Sequence, residues 1–469
     1  MEYRGWVLAI TSMGTFLAVV NSTSLLVALP TVMISLHTTF FVAVWILLIY
    51  SLVLTVLSPF LGREADLVGR KRIYSTGYIL FFAGSTIAAV SPDPQVLILG
   101  RVVQGSGAAC LFSNSLAIIT DSFSGPQLGR AMAINSSVMG VGIAVGPLVG
   151  GFLSFINWRY VFVFNAPIAL AGFVLSSRLL KEVKPVETGV RPDYVGSVTL
   201  SAFMTLIVLF LTVGPLEGWA HFTTVLFLLV SLVFLVLFLI MERRVRYPLI
   251  NFSLFRNRRF TGSIISVLLN SITRFSAIFL LTIYFQGPLG INPLLAGILL
   301  MPYAAGLGFV SYMSPHVVKR VNDITVQTLG LAFTGASVAA LFISSTGTPY
   351  YILAILMLLM GVGIGLYYTP NNSTIMLSVE PGQRGIVAGF RSLIVNMGSV
   401  VGMAIVFTIV ATYVPESILG SAFLGLSVSL TETQKAAFVT GIDVSFLAAG
   451  LICLVAVPVF AVMLRRSSK

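Results

Sequence analysis

Runs of about twenty apolar residues recur from one end of this chain to the other, and that recurrence limits what it can fold into. A hydrocarbon core about 30 Å thick is crossed by roughly 20 apolar residues in a helix. Fourteen such spans are read, at 6–30, 40–61, 73–92, 95–122, 128–156, 159–180, 194–213, 221–241, 259–286, 294–314, 324–345, 349–378, 385–413 and 441–464. Glycine and proline inside them suit helices whose neighbours re-satisfy freed backbone groups. No strand-like alternation suggests a β-barrel. Composition agrees. Only 9% of the residues are charged and 57% are hydrophobic, whereas a soluble domain carries roughly 25% charged residues. The expected fold class is all-α and polytopic.

The net charge of +12 raises the question of nucleic acid, and its distribution answers it. The Lys and Arg residues lie in short loops between apolar spans, not on one face or tail, so no nucleic-acid partner is expected. Of the 27, all but Arg159, Lys435, Arg101, Arg274 and Arg391 fall at one side of a fourteen-span topology. The positive-inside rule makes that side cytoplasmic and places both termini there. Met1-Glu-Tyr-Arg-Gly-Trp6 leads straight into a long apolar stretch with no small-residue cleavage site, which reads as a retained first span.

Enzyme chemistry is not expected. Cys110 and Cys453 sit alone inside apolar spans and read as small buried hydrophobes. No metal-ligand spacing, phosphate loop or catalytic constellation appears, so neither cofactor nor metal is expected. A weak internal repeat is present. Val138-Met-Gly140 opens a glycine-rich run in span 5, as Asn396-Met-Gly398 does in span 13, each after a short loop with Gly, Gln and Arg. If spans 1–6 match spans 9–14, spans 7 and 8 are an inserted pair. The expected division is a six-helix bundle at 1–185, two further helices with linkers at 186–250, and a second six-helix bundle at 251–469. Repeats of this kind hold substrate near the midplane between two halves.

Four segments carry a resemblance. The loop after span 2 reads Gly62-Arg-Glu-Ala-Asp66-Leu-Val-Gly69-Arg70-Lys71-Arg72, with two glycines that permit a tight turn. Span 4 holds Leu99-Gly-Arg101-Val-Val-Gln104-Gly105-Ser-Gly107, and Arg101, Gln104, Ala108, Phe112 and Ser115 share one stripe. Span 5 holds Gly140-Val-Gly142-Ile-Ala-Val-Gly146-Pro147-Leu-Val-Gly150-Gly151, small residues at close-packing spacing around a proline expected to kink the helix. Span 1 holds Asn21-Ser-Thr-Ser-Leu-Leu-Val-Ala-Leu-Pro30. Together they resemble the major facilitator superfamily, and within it the fourteen-helix drug:proton antiporter (multidrug efflux) branch. Arg63, Glu64 and Leu67 depart from the family's loop pattern, and Asn21 stands where that branch usually has an aspartate.

The resemblance implies a major facilitator fold. It implies that Gly62, Asp66, Gly69, Arg70 and Lys71 form a conformational latch, with Asp66 facing the start of span 13 and Arg70 pairing with Asp121. The other reading of that loop is a solvated basic turn. It implies that Arg101 faces a central cavity, against the alternative of an arginine holding helix ends together. It also implies that Gly142, Gly146, Pro147, Gly150 and Gly151 form the antiporter motif, where a generic packing face would account for the glycines but less well for Gly-Pro.

Proton-coupled transport commonly uses a buried carboxylate. None of the fifteen acids falls at mid-span, and His37, His221 and His316 lie at span ends. Proton coupling therefore rests on the resemblance, and the residues argue partly against it. Arg274, with Asn270 one turn before it, and Arg391 join Arg101 as intramembrane cations. They either pair with backbone carbonyls and end-of-helix acids or attract an anionic or amphipathic substrate. Trp45, Tyr50, Tyr367, Asn371 and Asn372 suit a cavity for amphipathic ligands, while aromatics also anchor at interfaces. The expected function is secondary active export of amphipathic organic molecules or drugs by alternating access, proton-coupled as the resemblance implies. The alternative is an uncoupled facilitator, or a transporter of lipid or anionic amphiphiles without carboxylate coupling. A non-transporting receptor or scaffold would have little use for the latch and Gly-Pro motifs. The expected partners are a small amphipathic organic substrate, membrane lipid and protons, for a monomer in the cell membrane.

Overall fold

The computed structural model describes residues 3–38, 40–182, 194–245, 252–344, 347–380, 384–413 and 431–465. Among them the protein is helical, with no strand. The helices are α1 (Tyr3–Ser35), α2 (Phe40–Val68), α3 (Arg70–Ala89), α4 (Pro94–Ser122) and α5 (Pro126–Ile156). There follow α6 (Tyr160–Leu179), α7 (Tyr194–Glu217), α8 (Phe222–Glu242), α9 (Arg258–Gln286) and α10 (Pro293–Leu299). The chain continues with α11 (Met301–Val321), α12 (Asp323–Ala340), α13 (Tyr350–Leu377), α14 (Arg384–Tyr413) and α15 (Glu432–Arg465). Each expected span coincides with one of these helices or, for span 10, with the α10–α11 pair.

Twelve of these units are long and apolar enough to cross a membrane, α10 and α11 counting as one. Of the other two, α3 is as long but opens on Arg70-Lys-Arg72 and carries serines, threonines and tyrosines. The apolar stretch described in α7, Val195–Leu211, is shorter. Local chemistry sets several helix starts. Asp93 accepts from the Val96 N–H at 2.8 Å with Pro94 behind it, Asn292 accepts from Leu295 at 2.9 Å before Pro293, and Asn257 accepts from Arg259 at 3.0 Å. Each satisfies a free amide of a first turn.

One local expectation fails. Gly62 does not turn the chain; it lies within α2, which runs on to Val68. The break falls at Gly69, whose φ of 117° is open to glycine and strained for other residues. Helix propensity over Arg63–Val68 carries the helix forward until a residue free of Cβ can reverse it.

Helices approach closely where side chains are absent. A Cβ at Gly146 or Gly150 would overlap Thr23 or the Ser24 backbone on α1, and one at Gly142 would crowd Val19. Gly151 faces Leu294 on α10. Small residues permit such contact where apolar burial against lipid provides no drive. α5 continues as helix through Pro147.

Helices α1–α6 pack on one another, as do α9–α15. The two groups meet chiefly along α2 with α14 and α5 with α11. α7 packs on α8 and also on both α2 and α14. Leu200, Phe203 and Met204 of α7 join Phe238 of α8 and Leu393 of α14 in one apolar cluster. The far face of α8 shows Leu229, Val233 and Val236, each more than half exposed, as a lipid-facing surface would.

Candidate functional site

A cavity of about 170 Å³ lies where α1, α2, α4 and α5 face α9, α13 and α14. Its polar lining is Ser22, Thr23, Ser51, Arg101, Arg274, Tyr368, Asn396 and Ser399, and its apolar lining includes Leu26, Ile143, Phe275, Phe279 and Met403. A smaller cavity adjoins it toward the end bearing the basic loops. Phe112, Met139 and Tyr368 line both, and the second adds Thr15, Ser115, Asn135, Asn372 and Arg391. Few polar groups among apolar walls is the usual make-up of an organic-ligand pocket.

The N-terminal wall is internally satisfied around Arg101. Its Nη1 donates to Gln104 Oε1 at 2.7 Å and its Nε to the Ile46 carbonyl at 3.2 Å. Gln104 in turn donates to Ser85 Oγ at 2.8 Å. The guanidinium lies 4.3 Å from the centre of the Tyr50 ring, a cation–π stack, and the Tyr50 hydroxyl donates to the Ala18 carbonyl at 3.2 Å. Asn21 is fully buried, and its Oδ1 accepts from Asn165 Nδ2 at 3.2 Å.

The C-terminal wall is different. Arg274 and Arg391 are 3% and 2% exposed, so both charges are out of water. Their guanidiniums both approach one ring, Tyr368, at 5.9 Å and 4.7 Å from its centre, and Arg274 also lies 4.5 Å from Phe275. The Nε of Arg274, and both Nε and Nη2 of Arg391, are buried without a hydrogen-bond acceptor. No Asp or Glu lines either cavity. Among the described residues no carboxylate makes an ion pair with Arg101, Arg274 or Arg391, and no His, Cys, Asp or Glu cluster is arranged to hold a metal.

Of the cavity residues expected from sequence, Arg101 and Arg274 line the main cavity and Arg391 and Asn372 the adjoining one. Seven do not line either. Asn21, Tyr50 and Gln104 turn into the N-terminal helices through the bonds above. Trp45 packs near Leu52, Val208 and Val400. Asn270 points to Cys453 Sγ at 3.9 Å, Tyr367 shares a 2.8 Å hydrogen bond with Ser266, and Asn371 donates to Gln327 at 3.3 Å. The tyrosine that does face the cavity is Tyr368, one residue and about 100° further round the helix. Tyr368, Phe275, Asn396 and Ser399 were all missed. Asn372, one turn beyond Tyr368 and already read as a cavity residue, is a signal on α13 that could have pointed to it.

At the basic end, Arg70 Nη2 pairs with Asp66 at 2.8 Å and its Nη1 with Asp121 at 2.6 Å. Arg384, opening α14, reaches the other Asp121 oxygen at 3.3 Å and so ties the C-terminal group to the N-terminal one. Ser58 and Ser392 hydrogen-bond at 3.1 Å across the α2–α14 contact. The Lys71 backbone N–H donates to Glu182 at 3.2 Å. Asp66 was expected to face the start of span 13, which Arg384 opens; residues 381–383, just before it, lie outside the described residues.

The family model of the Major Facilitator Superfamily matches residues 11–403. The puromycin resistance protein pur8 of Streptomyces alboniger is 32% identical over 87% of this chain and 82% of its own. The multidrug efflux pump LfrA of Mycolicibacterium smegmatis is 29% identical over 99% and 97%. The riboflavin transporter RibZ of Clostridioides difficile (strain 630) is 25% identical over 100% and 99%. In fold, the chain resembles the crystal structure of the human organic anion transporter MFSD10 (TETRAN), with a TM-score of 0.67 at 14% identity, over 98% of this chain and all of that one. An all-helical body of long apolar helices, a cavity between two packed groups and a family match spanning most of its length make this chain a transporter of the Major Facilitator Superfamily, not an enzyme.

Proposed function

We propose that this protein exports amphipathic organic molecules by alternating access, the two helix groups rocking about the cavity between them. The observation that carries this reading is that cavity, whose lining joins aromatic and aliphatic walls to a few polar groups contributed by both halves. The efflux pump and the resistance protein among its relatives support the direction of transport. In this reading the divisions 1–185, 186–250 and 251–469 are functional units, and all fourteen long helical units cross the cell membrane. Both termini are then cytoplasmic, as the basic loops favour. The protein acts as a monomer, and Asp66, Arg70, Lys71, Asp121 and Gly69 latch the cytoplasmic side. The glycines of α5 keep α1 and α5 in sliding contact.

Family resemblance makes proton antiport the expected drive. One observation favours a second reading, transport without carboxylate coupling: Asn21, fully buried at the position where the resembling branch has an aspartate, is an amide held by Asn165. Reconstitution into proteoliposomes separates the two. Antiport predicts uptake of a fluorescent amphiphile that rises severalfold with an imposed pH gradient. Rates indifferent to the gradient select the uncoupled reading, and no transport of any amphiphile overturns both.

A further inference from the structure

Two buried guanidiniums that border the cavities, each with a nitrogen no acceptor meets and neither with a carboxylate beside it, form an incomplete electrostatic site. Arginine stays protonated in proteins, so it does not escape burial by losing its charge. A buried charge is tolerated when a partner completes it. Arg101 illustrates the completed case: its donors meet Gln104 and a backbone carbonyl, and its face meets Tyr50. Arg274 and Arg391 are less exposed to water than most of the chain, yet three of their nitrogens have no acceptor. Both approach Tyr368, which lines the main cavity and the adjoining one alike. Beyond them, Phe275, Phe279 and Ile278 continue the main cavity as an apolar wall.

Building on the proposed transport role, we propose that this protein binds organic anions: an amphiphile whose carboxylate or comparable acidic group lies between Arg274 and Arg391, over Tyr368, with its apolar body against Phe275 and Phe279. The substrate supplies the missing counter-charge. Carboxylate oxygens complete the guanidinium forks through charge-assisted hydrogen bonds. Desolvation of the anion is offset because both cations are already out of water. A cationic amphiphile of the same shape would be repelled by two uncompensated charges, and a neutral one would leave the donors unmet.

Three probes of one shape test this in phosphatidylcholine nanodiscs holding the full-length protein at pH 7.5: 2-naphthoate, 2-naphthylmethylammonium and 2-naphthalenemethanol. Calorimetric titration is expected to rank the carboxylate roughly tenfold or more tighter than either other probe. Arg274→Gln and Arg391→Gln are each expected to erase that preference while raising the melting temperature of the ligand-free protein, since each removes an uncompensated buried charge. Lysine at either position retains charge without the fork and is expected to fall between. Equal affinities for the three probes, or tightest binding of the ammonium, would overturn the anion site on the wild-type protein alone, even if a variant fails to fold. So would glutamine variants that keep the carboxylate preference. Vesicle transport of the same probes separates this site from the export reading. Transport of the ammonium or alcohol without preferred binding of naphthoate rejects the anion site and leaves export standing. Preferred binding of naphthoate with no transport of any probe rejects export and leaves the anion site.

Discussion

Gly146 and Gly150 show how much of this fold depends on the absence of a side chain. Both lie where α5 meets α1; a Cβ at Gly146 would overlap the Thr23 side chain, and one at Gly150 the Ser24 backbone, which cannot swing aside. Overpacking a tight contact costs roughly 1–3 kcal/mol, more when backbone must move. Gly150→Val is therefore expected to lower the melting temperature in detergent and to abolish transport. Gly129→Ala is the control: its nearest neighbour is Pro315 at 3.8 Å, an ordinary contact, and it is expected to behave as wild type by the same thermal assay. The glycine run was legible in the sequence because spacing by four places residues on one helical face. The partner helix was not, since nothing in a run of small residues says which neighbour fills the groove.

The hairpin of α7 and α8 is the element that departs from two matched groups of six helices. It is not peripheral, because α7 touches α2 and α14 together, bridging the two groups. The proposed crossing of the membrane by this pair can be tested chemically. Ala220, in the exposed turn between α7 and α8, is expected to react as Ala220→Cys with an impermeant maleimide added outside intact cells. Arg243→Cys, at the far end of α8, is expected to react only after permeabilisation. The native thiols, Cys110 and Cys453, are buried and should stay silent. Labelling of both sites from the same side would reject the fourteen-helix topology, and the reversed pattern would reject cytoplasmic termini. Limits of the helices were legible almost throughout because apolar length, proline and capping residues act locally. Gly62 misled because two glycines were read as one turn, whereas only Gly69 has the positive φ.

Across the whole molecule, the two groups are held at the basic end by few polar contacts, of which Arg384 with Asp121 is one ion pair. Asp121 simultaneously holds Arg70, so the same carboxylate serves the N-terminal cluster and the link between halves. An ion pair with both side chains about one-sixth exposed contributes on the order of 1 kcal/mol or less, enough to shift a two-state balance about fivefold. Arg384→Ala is expected to populate a form open at that end. Spin labels at Ser124 and Glu380, on either side of the gap, should show a longer distance population that grows in the variant. An unchanged distribution would mean that the α2–α14 packing alone sets the closed form.

Family resemblance implied the pairing of Arg70 with Asp121. The sequence by itself determined the membrane class, the helical architecture and almost every helix, together with the three intramembrane arginines. These follow from length, charge and local chemistry, which act within a few residues. Only the tertiary structure decided which faces meet. α13 is buried on nearly every side over Met360–Met376, including both Tyr367 and Tyr368, so an apolar period cannot reveal its inward phase. A shift of one residue turns a side chain by about 100°, and that rotation separates Tyr367, bonded to Ser266, from Tyr368, which Arg274 and Arg391 both approach. Likewise, three arginines of equal standing in the sequence become one satisfied within its own bundle and two whose buried nitrogens meet no acceptor, because hydrogen-bond completion depends on neighbours far apart along the chain.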